Sequence, residues 1–412
     1  MSNLTIPLGI DSLKIIAQTV DAKGNFIINV ESTATSTPCH KCGQLATKMS
    51  GYGETIMVQH LSILDRPVYL RITKVRYECD FCEDHPRTSE QYDWCDRKSK
   101  TTKGLDNYIN RCVINSTIED VAKKIGISCE VVESSLNRCV STTVEWSQYT
   151  DLETLGIDEI ALKKGHDEYV VIISAKDNLG ELSVVAVLPN RLKATVKAFL
   201  ESIPDHLKKT VKNICTDMYD GFVNAATEVF GSRAVVVDRY HVAKLYREPL
   251  DDLRISEMKR LKVTLSHEEY AKLENMMWII RKKHECLTKQ EKSILEFMYK
   301  YSPKLKEAHK LALRLTQVFN THQNRKRALS KLNHWIARVQ SSTTSCFNKF
   351  IKTLNKYKVC ILNYFKSRKN SGFVEGLNSK IKVLKRRCYG ISNPKTLFQR
   401  LFLDLKGFSV FA

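Results

Sequence analysis

The sequence predicts a multidomain α/β protein, with a mixed α/β core interrupted by an all-α insertion and preceded by two small modules. Three observations carry that prediction. Strand-like and helix-like segments follow the order β-β-β-α-β-α-β across residues 152–238. Residues 240–365 then hold long amphipathic patterns rich in Lys, Leu and Glu, with almost no strand signal. At 412 residues, 43% hydrophobic and 27% charged, the chain has the composition of a globular protein and the length for about two to four domains.

Composition also excludes whole classes. No apolar run, Tyr169–Ser174 included, approaches the ~20 residues of a membrane span. Asp11, Lys14 and Asp21 interrupt the region where a signal peptide needs an unbroken apolar core. Thirteen cysteines, odd in number and scattered, do not form a secreted disulfide framework. These features predict a cytosolic protein with no membrane partner. Charge is divided unevenly: residues 1–238 carry 27 basic and 32 acidic side chains, residues 239–412 carry 38 and 13. A basic excess concentrated in one half points to a polyanion, nucleic acid above all, lying along it.

Residues 1–100 read as short strands and turns. Gly24-Asn25 separates two apolar stretches and suits a hairpin. Arg66–Tyr77 alternates in character like a strand with one basic face. Two Cys-x-x-Cys pairs, Cys39/Cys42 and Cys79/Cys82, bracket this region with 36 residues between them. Two such knuckles close a tetrahedral zinc site, and four thiolates leave no open position, so the expected zinc is structural. The spacing exceeds that of a compact ribbon and demands a β insert, which Ile56–Tyr77 supplies. His40, His85 and Cys95 are nearby spare ligands.

Residues 101–148 change to helical spacing and form the expected helix-turn-helix DNA-binding domain. One helix spans Ile118–Ile125 and ends at Gly126; Ser128 caps a second whose apolar side includes Val131, Val132 and Leu136.

Residues 152–239 form the first part of the core. Strands are expected at Thr154–Ile160, Tyr169–Ala175, Leu182–Leu188, Val211–Thr216 and Arg233–Val237, and helices at Leu192–Ile203 and Gly221–Phe230. That order is the one of the ribonuclease-H-like fold. Asp158 lies within the first strand and Asp217 closes the fourth. If those strands are neighbours, two carboxylates converge. Glu375, the only acid between Glu307 and Asp404, can approach from a later helix. Three carboxylates hold two Mg²⁺ (or Mn²⁺) ions for in-line phosphoryl displacement. An Asp at a strand end also serves as an ordinary helix cap.

Residues 240–365 are the helical insertion, with Trp278, Trp335 and Phe319 expected in its core. Residues 366–412 return to the core as a helix over 371–405. Its basic stretch offers Lys380, Lys382, Lys385, Arg386 and Arg387 as candidate phosphate contacts. Their spacing does not place all five on one helix face.

Three motifs carry a resemblance: Thr216-Asp-Met-Tyr-Asp-Gly-Phe222, Val235-Val-Val-Asp-Arg-Tyr-His-Val-Ala-Lys-Leu245, and the long stretch from Gly372 through Glu375 to Gly390. The chain resembles the ISL3 family of transposases of bacterial insertion sequences over nearly its whole length. The resemblance implies an Asp-Asp-Glu catalytic site of Asp158, Asp217 and Glu375, with Asp238 a characteristic family aspartate outside the three. Glu159 is an adjacent rival to Asp158; strand alternation sends the two to opposite faces, and Asp158 is the choice. It further implies recognition of terminal inverted repeats by the zinc module and helix-turn-helix. Hydrolysis would then free a 3′-hydroxyl that joins target DNA by transesterification. A homodimer on DNA and a nucleoid-associated bacterial location are also implied. Two other readings stand beside it. A non-enzymatic zinc and helix-turn-helix DNA-binding regulator explains residues 39–140 but not the three acids. A tyrosine recombinase draws on the local group Arg239, His241 and Tyr246.

Overall fold

The computed structural model describes residues 7–162, 168–368 and 372–411. The chain divides into two units, Met1–Thr142 with Gln399–Ala412, and Thr143–Phe398. Among the described residues no helix is long and apolar enough to cross a membrane.

In the first unit, β1 (Leu13–Val20) and β2 (Phe26–Ser32) form the expected hairpin. Asp21 builds its turn by accepting from the N–H groups of Lys23 (2.8 Å) and Asn25 (2.9 Å). Gly24 sits at φ +84°, a conformation that favours glycine. β3 (Thr37–Pro38) and β4 (Leu45–Ala46) make a two-residue ladder. β5 (Lys48–Ile63) and β6 (Arg66–Glu78) form the long antiparallel insert between the cysteine pairs, and β7 (Arg87–Ser89) pairs with β6. The sheet order is β1-β2-β6-β5, with β2 parallel to β6. Val68, Leu70 and Ile72 of β6 face Ile28, Val30, Val58 and Trp94 in one core. Arg66, Arg71 and Arg76 remain exposed.

Helices α1 (Lys103–Val113), α2 (Ile118–Ile125) and α3 (Cys129–Cys139) follow. Thr117 caps α2 through the N–H of Asp120 (3.0 Å), and Gly126 ends it at φ +72°. Ser128 occupies the cap position of α3 but makes no side-chain cap bond. Asp106, 2% exposed, accepts a two-point bond from Arg138 (2.7 and 3.1 Å) and the Thr101 hydroxyl (2.7 Å), tying α1 to α3.

The second unit holds β8 (Thr154–Ala161), β9 (Tyr169–Lys176), β10 (Leu182–Leu188), α4 (Lys193–Ser202), α5 (Asp205–Lys208), β11 (Asn213–Thr216), α6 (Asp220–Phe230) and β12 (Val235–Val237). The sheet order is β10-β9-β8-β11-β12. β8 runs antiparallel to β9 and parallel to β11, which runs parallel to β12. Strands β9, β11 and β12 are buried along nearly their whole length, as a sheet covered on both sides requires.

Helices α7 (Arg239–Thr264), α8 (His267–Ala271), α9 (Met276–Arg281), α10 (Lys289–Tyr301), α11 (Pro303–Asn320), α12 (Arg325–Gln340), α13 (Asn348–Lys356) and α14 (Lys358–Ser367) make up the insertion. Its last helix covers the sheet edge: Asn363 donates to the carbonyls of Ser232 (2.8 Å) and Val235 (2.7 Å). Trp335 and Phe319 are buried as expected, and the Trp335 indole donates to the Leu311 carbonyl at 2.8 Å. Trp278 is 59% exposed instead. Short α9 turns Met276, Ile279 and Ile280 inward, and Trp278 falls on the opposite side.

The C-terminal segment is two helices rather than one, α15 (Gly372–Arg387) and α16 (Pro394–Phe411). Tyr389 at φ +52° and Gly390 at φ +107° break the path, and Pro394 starts the next helix. From Gln399 onward α16 belongs to the first unit. There Leu403 joins the core of α1–α3, buried Arg400 donates to the carbonyls of Val113 (3.3 Å) and Ser116, and Asp404 accepts the Asn115 N–H (3.0 Å).

Candidate active site

The four cysteine sulfurs of Cys39, Cys42, Cys79 and Cys82 lie within 4.8 Å of one another. Cys79 is 3.6 Å from Cys42 and 3.9 Å from Cys82. A zinc tetrahedron with ~2.3 Å bonds has sulfur–sulfur edges of about 3.8 Å, so the set has the right size. Tight turns aim the thiols: the Gly43 N–H bonds the Cys39 carbonyl (2.9 Å), and the His85 N–H bonds that of Cys82 (3.0 Å). The N–H groups of Cys42 and Lys41 hold the Cys39 thiol down to about 6, while sharing with Cys42 pushes Cys82 up to about 12. Four thiols this close cannot all ionise without a cation, and this donor set supports a structural zinc. The spare ligands stand apart from it. His40 bonds Thr88 (2.9 Å), Cys95 is buried in the apolar core of the module, and His85 groups with Glu78 and Asp80.

The acids are positioned by strand register. Thr216 of β11 lies opposite Ile157 of β8, and Val237 of β12 opposite Thr216. Asp158, still within β8, and Asp217 and Asp238, directly after β11 and β12, are the next residues along the chain, and the Asp238 N–H bonds the Thr216 carbonyl (2.9 Å). Burial raises the pKa of Asp217. The Tyr219 N–H (3.0 Å) opposes this, the Asp158 charge raises it further, and His241 lowers it. Asp238 caps α7 through the Tyr240 N–H (2.9 Å). Glu159 turns away from Asp158 to pair with Arg191 (3.1 Å), whose guanidinium lies over the rings of Tyr169 and Tyr219.

Helix α15 packs on this face of β8. Gly156, two residues before Asp158 and on the same side, admits Phe373 and Val374 against the strand. The Asn378 amide donates to Asp158 Oδ2. Glu375 is exposed in the first turn of α15, three residues before Asn378 and therefore on a shared face. The three acids do not form a set within 4.8 Å among the described residues. Two ions about 4 Å apart, each with ~2.1 Å bonds, reach ligands spread over about 8 Å.

Of the five basic candidates, Lys382 and Arg386 are exposed one turn apart, and Lys380 and Arg387 are half-buried. Lys385 differs from expectation. Its ammonium donates to the carbonyls of Ala161 (2.6 Å) and Leu162 (2.7 Å), and burial lowers its pKa. It fastens α15 to the end of β8. The recombinase grouping loses its nucleophile: Tyr246 is 2% exposed, with its hydroxyl on Thr316 (2.8 Å).

Sequence reasoning missed the anchoring contacts of Lys385, and missed altogether Asn378 and Tyr357, whose hydroxyl bonds the Met218 carbonyl (3.0 Å) and Asp220, bracing the loop after Asp217. Each works through a partner more than a hundred residues away, for which a single sequence carries no local signal.

A family model described as a transposase, of the ISL3 type, matches residues 155–401. A second, described as the zinc-finger of transposases of the IS204/IS1001/IS1096/IS1165 group, matches residues 35–82. The chain is similar to the transposase for insertion sequence element IS1001 of Bordetella parapertussis, 26% identical over 377 residues, covering 91% of this chain and 90% of that one. It is also similar to the transposase for insertion sequence element IS1557 of Mycobacterium tuberculosis, 23% identical over 391 residues, covering 89% and 86%.

Proposed function

The chain belongs to the ISL3 family of transposases, and from that premise we propose that Asp158, Asp217 and Glu375 are its catalytic acids, on a ribonuclease-H-like core. The sheet order β10-β9-β8-β11-β12, the third-second-first-fourth-fifth strand of the core, supports that fold. One observation carries the site: Thr216 pairs with Ile157, so that Asp217 and Asp158 are each the next residue along the chain, and α15 is hydrogen-bonded to Asp158 one turn after Glu375.

The residues fit a pair of Mg²⁺ or Mn²⁺ ions. Asp158 lies near enough for its charge to raise the pKa of Asp217, and the buried Asn378 Oδ1 has no hydrogen-bond partner among the described residues. Hard oxygen donors suit these ions. When bound, the ion pair supplies Lewis-acid charge for in-line displacement at phosphorus. Asp158 and Asp217 would hold it from the sheet and Glu375 from the helix. Asn378 keeps the Asp158 carboxylate turned toward α15. Tyr219 and Tyr357 hold the loop that carries Asp217. Water then displaces one strand at the element end and frees a 3′-hydroxyl. That hydroxyl attacks a target phosphodiester at the same site, releasing a target 3′-hydroxyl, and no protein–DNA covalent bond forms.

Arg386 and Lys382 contact phosphates near the site. The zinc module and α2–α3 read the terminal inverted repeats, and two chains act together because two DNA ends must meet. The test is Asp217→Ala. It is expected to bind element-end DNA like the wild type and to leave it uncut with Mg²⁺ or Mn²⁺. Undiminished metal-dependent nicking by that variant would refute the assignment.

A further inference from the structure

The insertion encloses a cavity of about 820 Å³ between α7, α9 and α11, within the ~300–1,000 Å³ of small-ligand sites. Its rim is cationic: Arg239, Lys244, Arg247, Arg281, Lys282 and Lys283, against the carboxylates of Glu248 and Asp251. Those two are already engaged, Asp251 by Arg281 and Glu248 by Lys244 (3.6 Å). Arg247 and Lys283 are exposed, and no ion pair to either is found among the described residues. The inner wall has a different chemistry. Leu250, Ile280 and Ala312 are apolar and buried. His309, 3% exposed, is held neutral by burial, its pKa pulled down to about 4. Its Nδ1 meets the Tyr299 hydroxyl at 2.7 Å, and its Nε2 lies near the Ile280 backbone without a hydrogen bond of normal geometry. Tyr240, 62% exposed, lines the cavity and meets the His241 ring edge-to-face at 5.7 Å.

Cations outside, an apolar wall with a buried polar atom inside, and an exposed aromatic ring in the lining together match a nucleotide: phosphate on the rim, base within. We propose that this cavity receives a single unpaired nucleotide of bound DNA. DNA is favoured over a free nucleotide because the cavity begins at Arg239, directly after Asp238, and the Asp238 N–H bonds the carbonyl of Thr216, the residue before Asp217 (2.9 Å). That choice of source rests on the reading of the acids as the cutting site; the cavity's chemistry does not.

The test is equilibrium binding of the full-length, zinc-loaded protein without added Mg²⁺ or Mn²⁺, where no strand is cut. A blunt duplex is compared with the same duplex whose terminal base is 2-aminopurine opposite an abasic position. The unpaired form is expected to bind about tenfold more tightly, the size of one base–aromatic stacking contact, with a change in 2-aminopurine emission. The rim variant Arg247→Ala/Lys283→Ala is expected to cut that advantage below about threefold while changing blunt binding less than about twofold. Equal wild-type binding to both duplexes overturns the proposal. So does an equal loss on both, which marks a plain phosphate surface. Competition by free dAMP without any preference for the unpaired duplex overturns DNA as the source. The same titration with Asp217→Ala separates the two readings: a preserved preference in a variant that still nicks DNA leaves the cavity standing while the catalytic assignment falls.

Discussion

Gly156→Ala tests whether the helix bearing Glu375 is seated by its closest approach to the sheet. A Cβ at this position would lie 2.5 Å from Val374 Cγ2, 2.6 Å from Ser174 Oγ and 3.0 Å from Phe373 Cζ. Unstrained carbon contacts begin near 3.5 Å, so α15 and β8 must separate by about 1 Å. Two of the three clashes involve the residues immediately before Glu375. Overpacking of this kind costs about 1–3 kcal/mol, which a fold of ordinary stability survives with a melting point lowered by about 2–10 °C. A misplacement of about 1 Å in a catalytic group costs about a hundredfold in rate. Single-turnover cleavage of end-containing DNA with Mn²⁺ is therefore expected to fall about a hundredfold, with DNA binding unchanged. Val374→Ala removes the nearest clash, so Gly156→Ala/Val374→Ala is expected to cleave faster than Gly156→Ala alone. Cleavage by Gly156→Ala within twofold of wild type at an unchanged melting point, or no gain in the double variant, would show that this contact does not place Glu375.

Further outcomes follow from the same geometry. Burial holds the Asp217 pKa above its unfolded value, so the folded chain is fully penalised above that folded pKa, and the penalty fades as pH falls through it and is gone below the unfolded one. Asp217→Asn is thus expected to melt higher than wild type at neutral pH, with the gap closing under acid, and to lose the rise in melting point that Mn²⁺ gives the wild type. Elemental analysis is expected to find one zinc per chain, lost with chelator or in Cys42→Ser together with the melting transition of the N-terminal module. Arg400→Ala leaves the Val113 and Ser116 carbonyls without their donor, an expected loss of about 1–3 kcal/mol in the α1–α3 unit, read as early hydrogen exchange there. Lys382→Ala/Arg386→Ala is expected to weaken specific and random DNA alike and flatten the salt dependence, whereas Lys385→Met is expected to lower the melting point with little change in salt slope.

The strands and helices of the α/β core were legible because local pattern and environment agree. Leu182–Leu188 is an apolar run bounded by polar turns, and it is a strand over that same range. Ile118–Ile125 is framed by Thr117 and Gly126, and both residues act as caps. What was not legible depends on partners far along the chain. Lys385 sits in a run of cations and reads as a phosphate contact; only the strand end at Ala161 and Leu162, more than 220 residues earlier, makes it an internal anchor. The periodicity of α16 shows an apolar side but not that Leu403 and Arg400 will spend it on α1–α3.

Those long-range anchors also explain how the acids are held in relation to one another. Val374 meets β8 at Gly156, Asn378 at Asp158, and Lys385 at Ala161 and Leu162. From Val374 to Asn378 the helix advances about 6 Å, and from Gly156 to Asp158 the strand advances about 7 Å. From Asn378 to Lys385 the helix advances about 10 Å; the matching strand segment spans about 10–13 Å. Helix and strand therefore run in the same direction and stay in step over three turns. Glu375, between the first two anchors, is carried alongside Gly156–Asp158 by that match rather than by any contact of its own. A change at any one anchor shifts the phase of the helix against the strand. For that reason Lys385→Met, nearly three turns from Glu375, is expected to slow DNA cleavage as well as loosen the fold, while a Lys385 that only stabilised the strand end would leave cleavage per folded molecule unaltered.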